Sequence, residues 1–145
     1  MQHQTGAMDW QDGPYTVDAA GVHHRWFRGS GFRAGDQVPG IVSVEADTVP
    51  RWQELIGETC PSRPVTTLFR RDMGGDTLGD ARAVTYVARS GSRIFSAGSL
   101  NFTWALDGIW QRMLGQPAFV DPRMQRFTRT MLDGLSGRQE AASSR

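Results

Sequence analysis

Apolar residues alternate or cluster in short runs as far as Gly98 and fall at helical spacing beyond it, so the chain reads as strands followed by helices. The clearest strand signal is a hairpin. Ala83 to Arg89 runs out, Ser90-Gly91-Ser92 turns, and Arg93 to Gly98 returns. Val65 to Phe69, short and β-branched, predicts another strand, as does Ile41 to Glu45 behind the break at Pro39-Gly40. Arg51 to Ile56 fits one helical turn after Pro50, before Pro61 and Pro64 break the chain again. Past Gly98, Phe102, Leu106, Ile109, Trp110 and Met113 share one side of a helix that Ser99 is placed to cap. A last helix is predicted from Asp121, with Pro122 at its first position, to Leu135, its apolar stripe being Met124, Phe127, Met131 and Leu135.

Residues 1–22 are polar, carry a turn signal at Gly13-Pro14 and show no useful periodicity, so they read as an arm or the remnant of an upstream domain. Residues 23–136 hold the patterned region, and 137–145 read as a flexible tail. About four strands and two or three helices make a thin layer for an α/β fold, because a parallel sheet normally has helices on both faces. The expectation is the C-terminal portion of a larger α/β hydrolase-type domain, incomplete as an enzyme by itself.

Composition narrows the choice. A chain of 145 residues suits one core. Its 16 basic and 15 acidic residues are interspersed, leaving a formal charge of +1 and no electrostatic face for nucleic acid or anionic lipid. Every basic residue is arginine, which removes lysine Schiff-base and P-loop chemistry. Cys60 is the only cysteine, so neither an intramolecular disulfide nor a cysteine-rich zinc site can form. Met1 to Trp10 lacks a signal-peptide pattern, and no run approaches the ~18 apolar residues of a membrane span. The expectation is a cytoplasmic protein with no membrane and no nucleic-acid partner.

Candidate chemistry is sparse. Gly29-Ser30-Gly31, beside Arg28 and Arg33, has amides to offer an anion, but it lacks phosphate-loop spacing and fits a plain structural turn. His23 and His24 are adjacent, an arrangement in which both cannot easily face one metal ion, and no third ligand lies at metal-site spacing. Glu45 closes the apolar run Ile41-Val42-Ser43-Val44, where open α/β folds place their sites. There it can act as a general base or orient a water, or, with Asp47, simply solvate the strand end. Ser92 and Ser99 sit in no nucleophile elbow, and Cys60 precedes no helix that would lower its pKa. Phe102, Trp104 and Trp110 fit core packing.

Two segments together resemble a known family. His24-Arg25-Trp26-Phe27-Arg28-Gly29-Ser30-Gly31-Phe32-Arg33-Ala34-Gly35-Asp36, continued by Gly40-Ile41-Val42-Ser43-Val44-Glu45-Ala46-Asp47, is similar to H-W-x-F-x-G-T-G-L-x-x-G-D and a V-G-Y-E-x-D strand end. Arg93-Ile94-Phe95-Ser96-Ala97-Gly98-Ser99, leading into Phe102-Thr103-Trp104-Ala105-Leu106-Asp107, is similar to V-F-x-A-G-S-x-x-W-x-x-x-L-D. Both patterns belong to the C-terminal domain of the N,N-dimethylformamidase large (beta) subunit and its relatives. This sequence departs from them at Arg25, Ser30 and Ser43-Val44.

The resemblance implies an α/β fold of the glutamine-amidotransferase-like (flavodoxin-like) three-layer type, with this chain as its C-terminal part. It implies hydrolysis of a small amide at a mononuclear iron held by two tyrosines and a glutamate, with a second glutamate assisting the attack of water. By motif position the assisting glutamate resembles Glu45, and His24 lies on the same returning segment, so these two are the candidate catalytic residues. The family's G-H-D-E-Y-W iron motif does not occur here, and Tyr15 and Tyr86 match neither tyrosine motif. The chain is therefore expected to bind no iron alone and to need a missing N-terminal half or a partner subunit. The alternatives are a non-catalytic α/β module for carbohydrate or protein binding, and an assembly subunit that forms a homo-oligomer through an open sheet edge.

Overall fold

Tyr15 and Val17 are buried while Pro14 and Thr16 turn outward, an alternation that makes Gly13–Val17 a strand, β1. The computed structural model describes residues 13–42, 46, 48–49, 64–72, 80–115 and 119–137. Its other strands are β2 (Gln37–Val42), β3 (Thr48–Val49), β4 (Thr66–Asp72), β5 (Asp80–Val87) and β6 (Arg93–Ser96). They form one sheet of order β2-β1-β4-β5-β3, with β6 also on β5. β3 and β6 share the same edge of β5, pairing its first residues (Thr48 with Ala81) and its last (Val87 with Arg93).

β1 corrects the loop reading of this stretch, for it lies between β2 and β4 inside the sheet. Its five residues begin with a Gly-Pro turn signal and leave only Tyr15 to Val17 to show alternation, too little to register as a period. β2 begins four residues before the expected Ile41. Between the pairs Gly13–Val42 and Tyr15–Val38 the register shifts, and Pro39 and Gly40 (φ +69°) supply the irregularity. A second shift in β4, between Thr67 and Phe69, leaves Leu68 and Phe69 both buried, where strict alternation would expose one of them.

The hairpin of β5 and β6 stands as predicted, extended back to Asp80. The helix predicted after Gly98 is broken into a 3-10 turn (Leu100–Thr103), α1 (Trp104–Asp107) and α2 (Ile109–Met113). Gly108 takes φ +64°, and the Asp107 carboxylate accepts from the Ile109 N–H at 2.9 Å to start the next turn. The break changes the apolar face. Phe102 is buried and Leu106 half-buried, but Ile109 and Met113 are exposed. Trp104 is half-buried, and the Trp110 side chain lies outside the described residues.

The last helix, α3 (Pro122–Leu135), begins as predicted, with the Asp121 carboxylate accepting from the Arg123 N–H at 2.8 Å. Met124, Phe127 and Met131 are buried, whereas Leu135 is exposed and Gly134 takes the inward place. This stripe packs on Phe69, whose ring lies 5.1 Å from Phe127, 5.3 Å from Phe27 and 5.9 Å from Phe102.

The mixed α/β make-up, the hairpin and the C-terminal helices agree with expectation. A parallel layer of the flavodoxin-like kind does not appear among the described residues, where every strand pairing is antiparallel. The predicted turn at 51–56 lies outside them.

Candidate functional site

Two 3-10 turns, Gly21–His23 and Arg25–Phe27, follow β1, and His24 is the residue between them. Its extended backbone lets the ring fold forward, so that Nδ1 accepts from the Trp26 N–H at 3.4 Å and caps the second turn. Trp26 and Phe27 are thereby directed into the core. The imidazole stands edge-on to the buried indole of Trp26, ring centres 4.6 Å apart, and that indole meets Phe95 of β6 at 6.1 Å.

With Nδ1 used as an acceptor, the proton of the neutral ring belongs on Nε2. Burial holds the His24 pKa below its ordinary 6.5, helped by the charges of Arg25 and Arg93. His24 is thus a neutral hydrogen-bond donor through Nε2.

Beside it lies a recess of about 290 Å³. Its origin is a mismatch of strand lengths. β4 begins at Thr66, opposite Thr85, whereas β5 runs two residues further, paired through Tyr86 and Val87 only to β6. The notch left at the start of β4 is lined by Thr66, Thr85, Tyr86 and Arg93 on its polar side. Pro64 and Val87 give it an apolar wall, and His24 completes it. The Thr85 hydroxyl is already committed, donating to the Ile94 carbonyl at 2.8 Å. No carboxylate lines the recess among the described residues.

Of the candidates read from the sequence, His24 is at this recess, while Glu45 and Asp47 lie outside the described residues, as does Cys60. The Gly29-Ser30-Gly31 segment is a structural turn. The buried Ser30 hydroxyl donates to the Phe27 carbonyl at 2.7 Å and accepts from the Phe32 N–H at 3.1 Å, and the Ser30 carbonyl accepts from Arg126 Nε at 2.9 Å. Ser99 Oγ accepts from the Asn101 N–H at 3.3 Å, as a cap, and Ser92 sits in the exposed hairpin turn. Tyr15 is buried and donates to the Ala97 carbonyl at 3.1 Å. Tyr86, Arg93, Thr66 and Thr85 were not singled out from sequence. The hairpin register, which sets Tyr86 opposite Ile94 and Val87 opposite Arg93, is the signal that would have grouped three of these with the strand end.

An antiparallel sheet followed by C-terminal helices, with a polar notch at one strand end, is a mixed α/β architecture that does not by itself fix a chemistry. The chain belongs to the family described as N,N-dimethylformamidase beta subunit-like, C-terminal, whose model matches residues 2–116. No curated protein and no solved structure matches it. Iron is the metal the earlier resemblance attaches to this family. Among the described residues no three His, Cys, Asp or Glu side chains come together as a metal site. No helix among them is long and apolar enough to cross a membrane.

Proposed function

We propose that this chain is the C-terminal portion of an iron-dependent hydrolase of small amides resembling N,N-dimethylformamidase, inactive without ligands for the metal contributed by an upstream segment or a partner subunit. The observation that carries the reading is the family match over residues 2–116, in a family whose description itself places this domain at the C-terminus of a subunit. The glutamine-amidotransferase-like layers, in this reading, are completed outside the antiparallel sheet formed by β1 to β6.

This chain's own contribution is Glu45, with His24. The Glu45 carboxylate takes a proton from the water that attacks the amide carbonyl and returns it to the departing amine. His24, neutral and protonated on Nε2, donates a hydrogen bond and does not compete as a base. Supporting this division of labour is the His24 pKa, held below its ordinary 6.5 by burial, which leaves the ring uncharged at neutral pH.

The test is hydrolysis of N,N-dimethylformamide by this protein supplied with iron and assembled with the upstream segment or partner subunit that completes the metal site. Glu45→Gln is expected to lower kcat by about 100-fold or more, the usual worth of a positioned general base. Full activity in Glu45→Gln contradicts the assignment, and no hydrolysis of any small amide by the wild type contradicts the hydrolase reading itself.

A further inference from the structure

We propose that Tyr15 is a positioning residue for Glu45, acting through the corner at which β6 leaves the sheet, an inference that rests on the hydrolase reading. β6 and β3 divide one edge of β5 between them, and the exchange takes place at Gly98. The pair Val84–Ser96 ends the β6 ladder, Gly98 (φ +64°) then lies against the Arg82 carbonyl, and β3 takes over where Thr48 pairs with Ala81. Ser99, just past the corner, forms an antiparallel bridge with Ala46. Ala46 packs against the core and is one peptide bond from Glu45.

The corner is held from a distant strand. Tyr15 belongs to β1, which β4 separates from β5, yet its buried side chain carries the hydroxyl across to donate to the Ala97 carbonyl at 3.1 Å. Phe69 and Phe102 flank the phenol, ring centres 6.1 and 6.4 Å away, so packing fixes the direction in which the hydroxyl points. A phenylalanine would fill the same space, and the hydroxyl is what ties β1 to the corner. Ser99 is fixed in its turn, Oγ accepting from the Asn101 N–H at 3.3 Å and the carbonyl from the Phe102 N–H at 3.4 Å. A chain of short links therefore runs from Tyr15 through Ala97, Gly98 and Ser99 to Ala46, the residue that follows the proposed general base. Misplacing a reacting group by about 1 Å can cost about 100-fold in rate, so the loss of one such anchor is expected to cost about tenfold.

Tyr15→Phe keeps the packing and removes the anchor, and it is tested in this protein supplied with iron and assembled with the upstream segment or partner subunit that completes the metal site. The variant is expected to lower kcat for N,N-dimethylformamide about tenfold with KM unchanged. Hydrogen exchange is expected to quicken at the amides of Ala46, Thr48 and Val49 and to stay at wild-type rates in α3. Asp121→Asn, which loosens the start of α3 instead, separates placement from general destabilisation and is expected to leave kcat unchanged. Wild-type kcat in Tyr15→Phe, beside a loss in Glu45→Gln, overturns the proposal and leaves the hydrolase reading standing. Unaltered exchange at Ala46 and β3 overturns it too, as does an equal fall of kcat in Asp121→Asn. Turnover indifferent to both Glu45→Gln and Tyr15→Phe overturns the hydrolase reading and the proposal with it.

Discussion

His24 Nδ1 accepts from the backbone N–H of Trp26 at 3.4 Å, and the same imidazole packs edge-on to that tryptophan's indole at 4.6 Å. One histidine therefore caps a turn, fixes the entry of Trp26 into the core and lines the recess. Protonation of Nδ1 removes the acceptor and places a positive charge near Arg25 and Arg93.

This coupling gives a pH dependence with a definite sign. The folded pKa of His24 lies below its ordinary 6.5, so the unfolded chain takes up the proton first. The contribution to stability is complete above 6.5 and is lost as the pH falls from there through the depressed folded value. His24→Asn, whose side-chain oxygen can still accept from the Trp26 N–H, is expected to flatten that part of the stability–pH profile in denaturant titrations. An unchanged slope counts against the assignment.

The aromatic cluster sets the largest stability effect. Phe69, fully buried, packs near the rings of Phe27, Phe32, Phe102, Phe127 and Tyr15, which come from β1, the segment 27–32, the 3-10 turn at Phe102 and α3. Phe69→Ala is expected to cost about 3–5 kcal/mol. Chemical denaturation should show a lower midpoint, and Val65→Ala, at an exposed position on the same segment, should leave it nearly unmoved.

Asp121 joins the start of α3 to the glycine-rich loop. Its carboxylate caps the helix at the Arg123 N–H and accepts from the Arg123 guanidinium at 2.7 Å, while Arg123 reaches Asp36 at 3.1 Å and lies 4.6 Å above the Phe32 ring. Burial works to raise the Asp121 pKa, but the hydrogen bonds and charge of Arg123, with the Met124 N–H, outweigh it and leave the value lowered from 3.8. The stabilisation is present above 3.8 and disappears as the pH falls through the folded value. Asp121→Ala is expected to cost about 1–2 kcal/mol near neutrality and Asp121→Asn less, because the amide oxygen still caps. Thermal melts of the two variants at matched pH check the order.

Gly98 is held by two constraints at once. Its φ is +64°, and a Cβ there would collide with the Arg82 carbonyl oxygen and press on the Tyr15 hydroxyl. Gly98→Ala is expected to abolish soluble expression or lower the melting temperature sharply, whereas Gly91→Ala, with the same sign of φ but open space around it, should be much milder.

The parts of the fold that sequence revealed are those with long or doubly marked signals. The hairpin had a turn between two β-branched runs, and α3 had an aspartate cap, a proline behind it and a clean stripe. β1 was hidden because five residues beginning Gly-Pro carry too little alternation, although its neighbours bury it on both sides. The break at Gly108 was hidden because apolar spacing ran on through it, and only the local turn at Asp107 redirects the chain. Of the candidate site, His24 was visible through a motif. Thr66, Tyr86 and Arg93 were not, because a notch is made by where paired strands stop, which is a property of register and not of any one residue type.

Steady-state hydrolysis of N,N-dimethylformamide by the iron-supplied protein, assembled with the upstream segment or partner subunit that completes the metal site, wild type against Glu45→Gln, tests the central claim most directly. The account predicts turnover by the wild type and a loss of about 100-fold or more in kcat for the variant, with the amide still bound. Turnover unaffected by Glu45→Gln, or no turnover by a folded wild type, would contradict it.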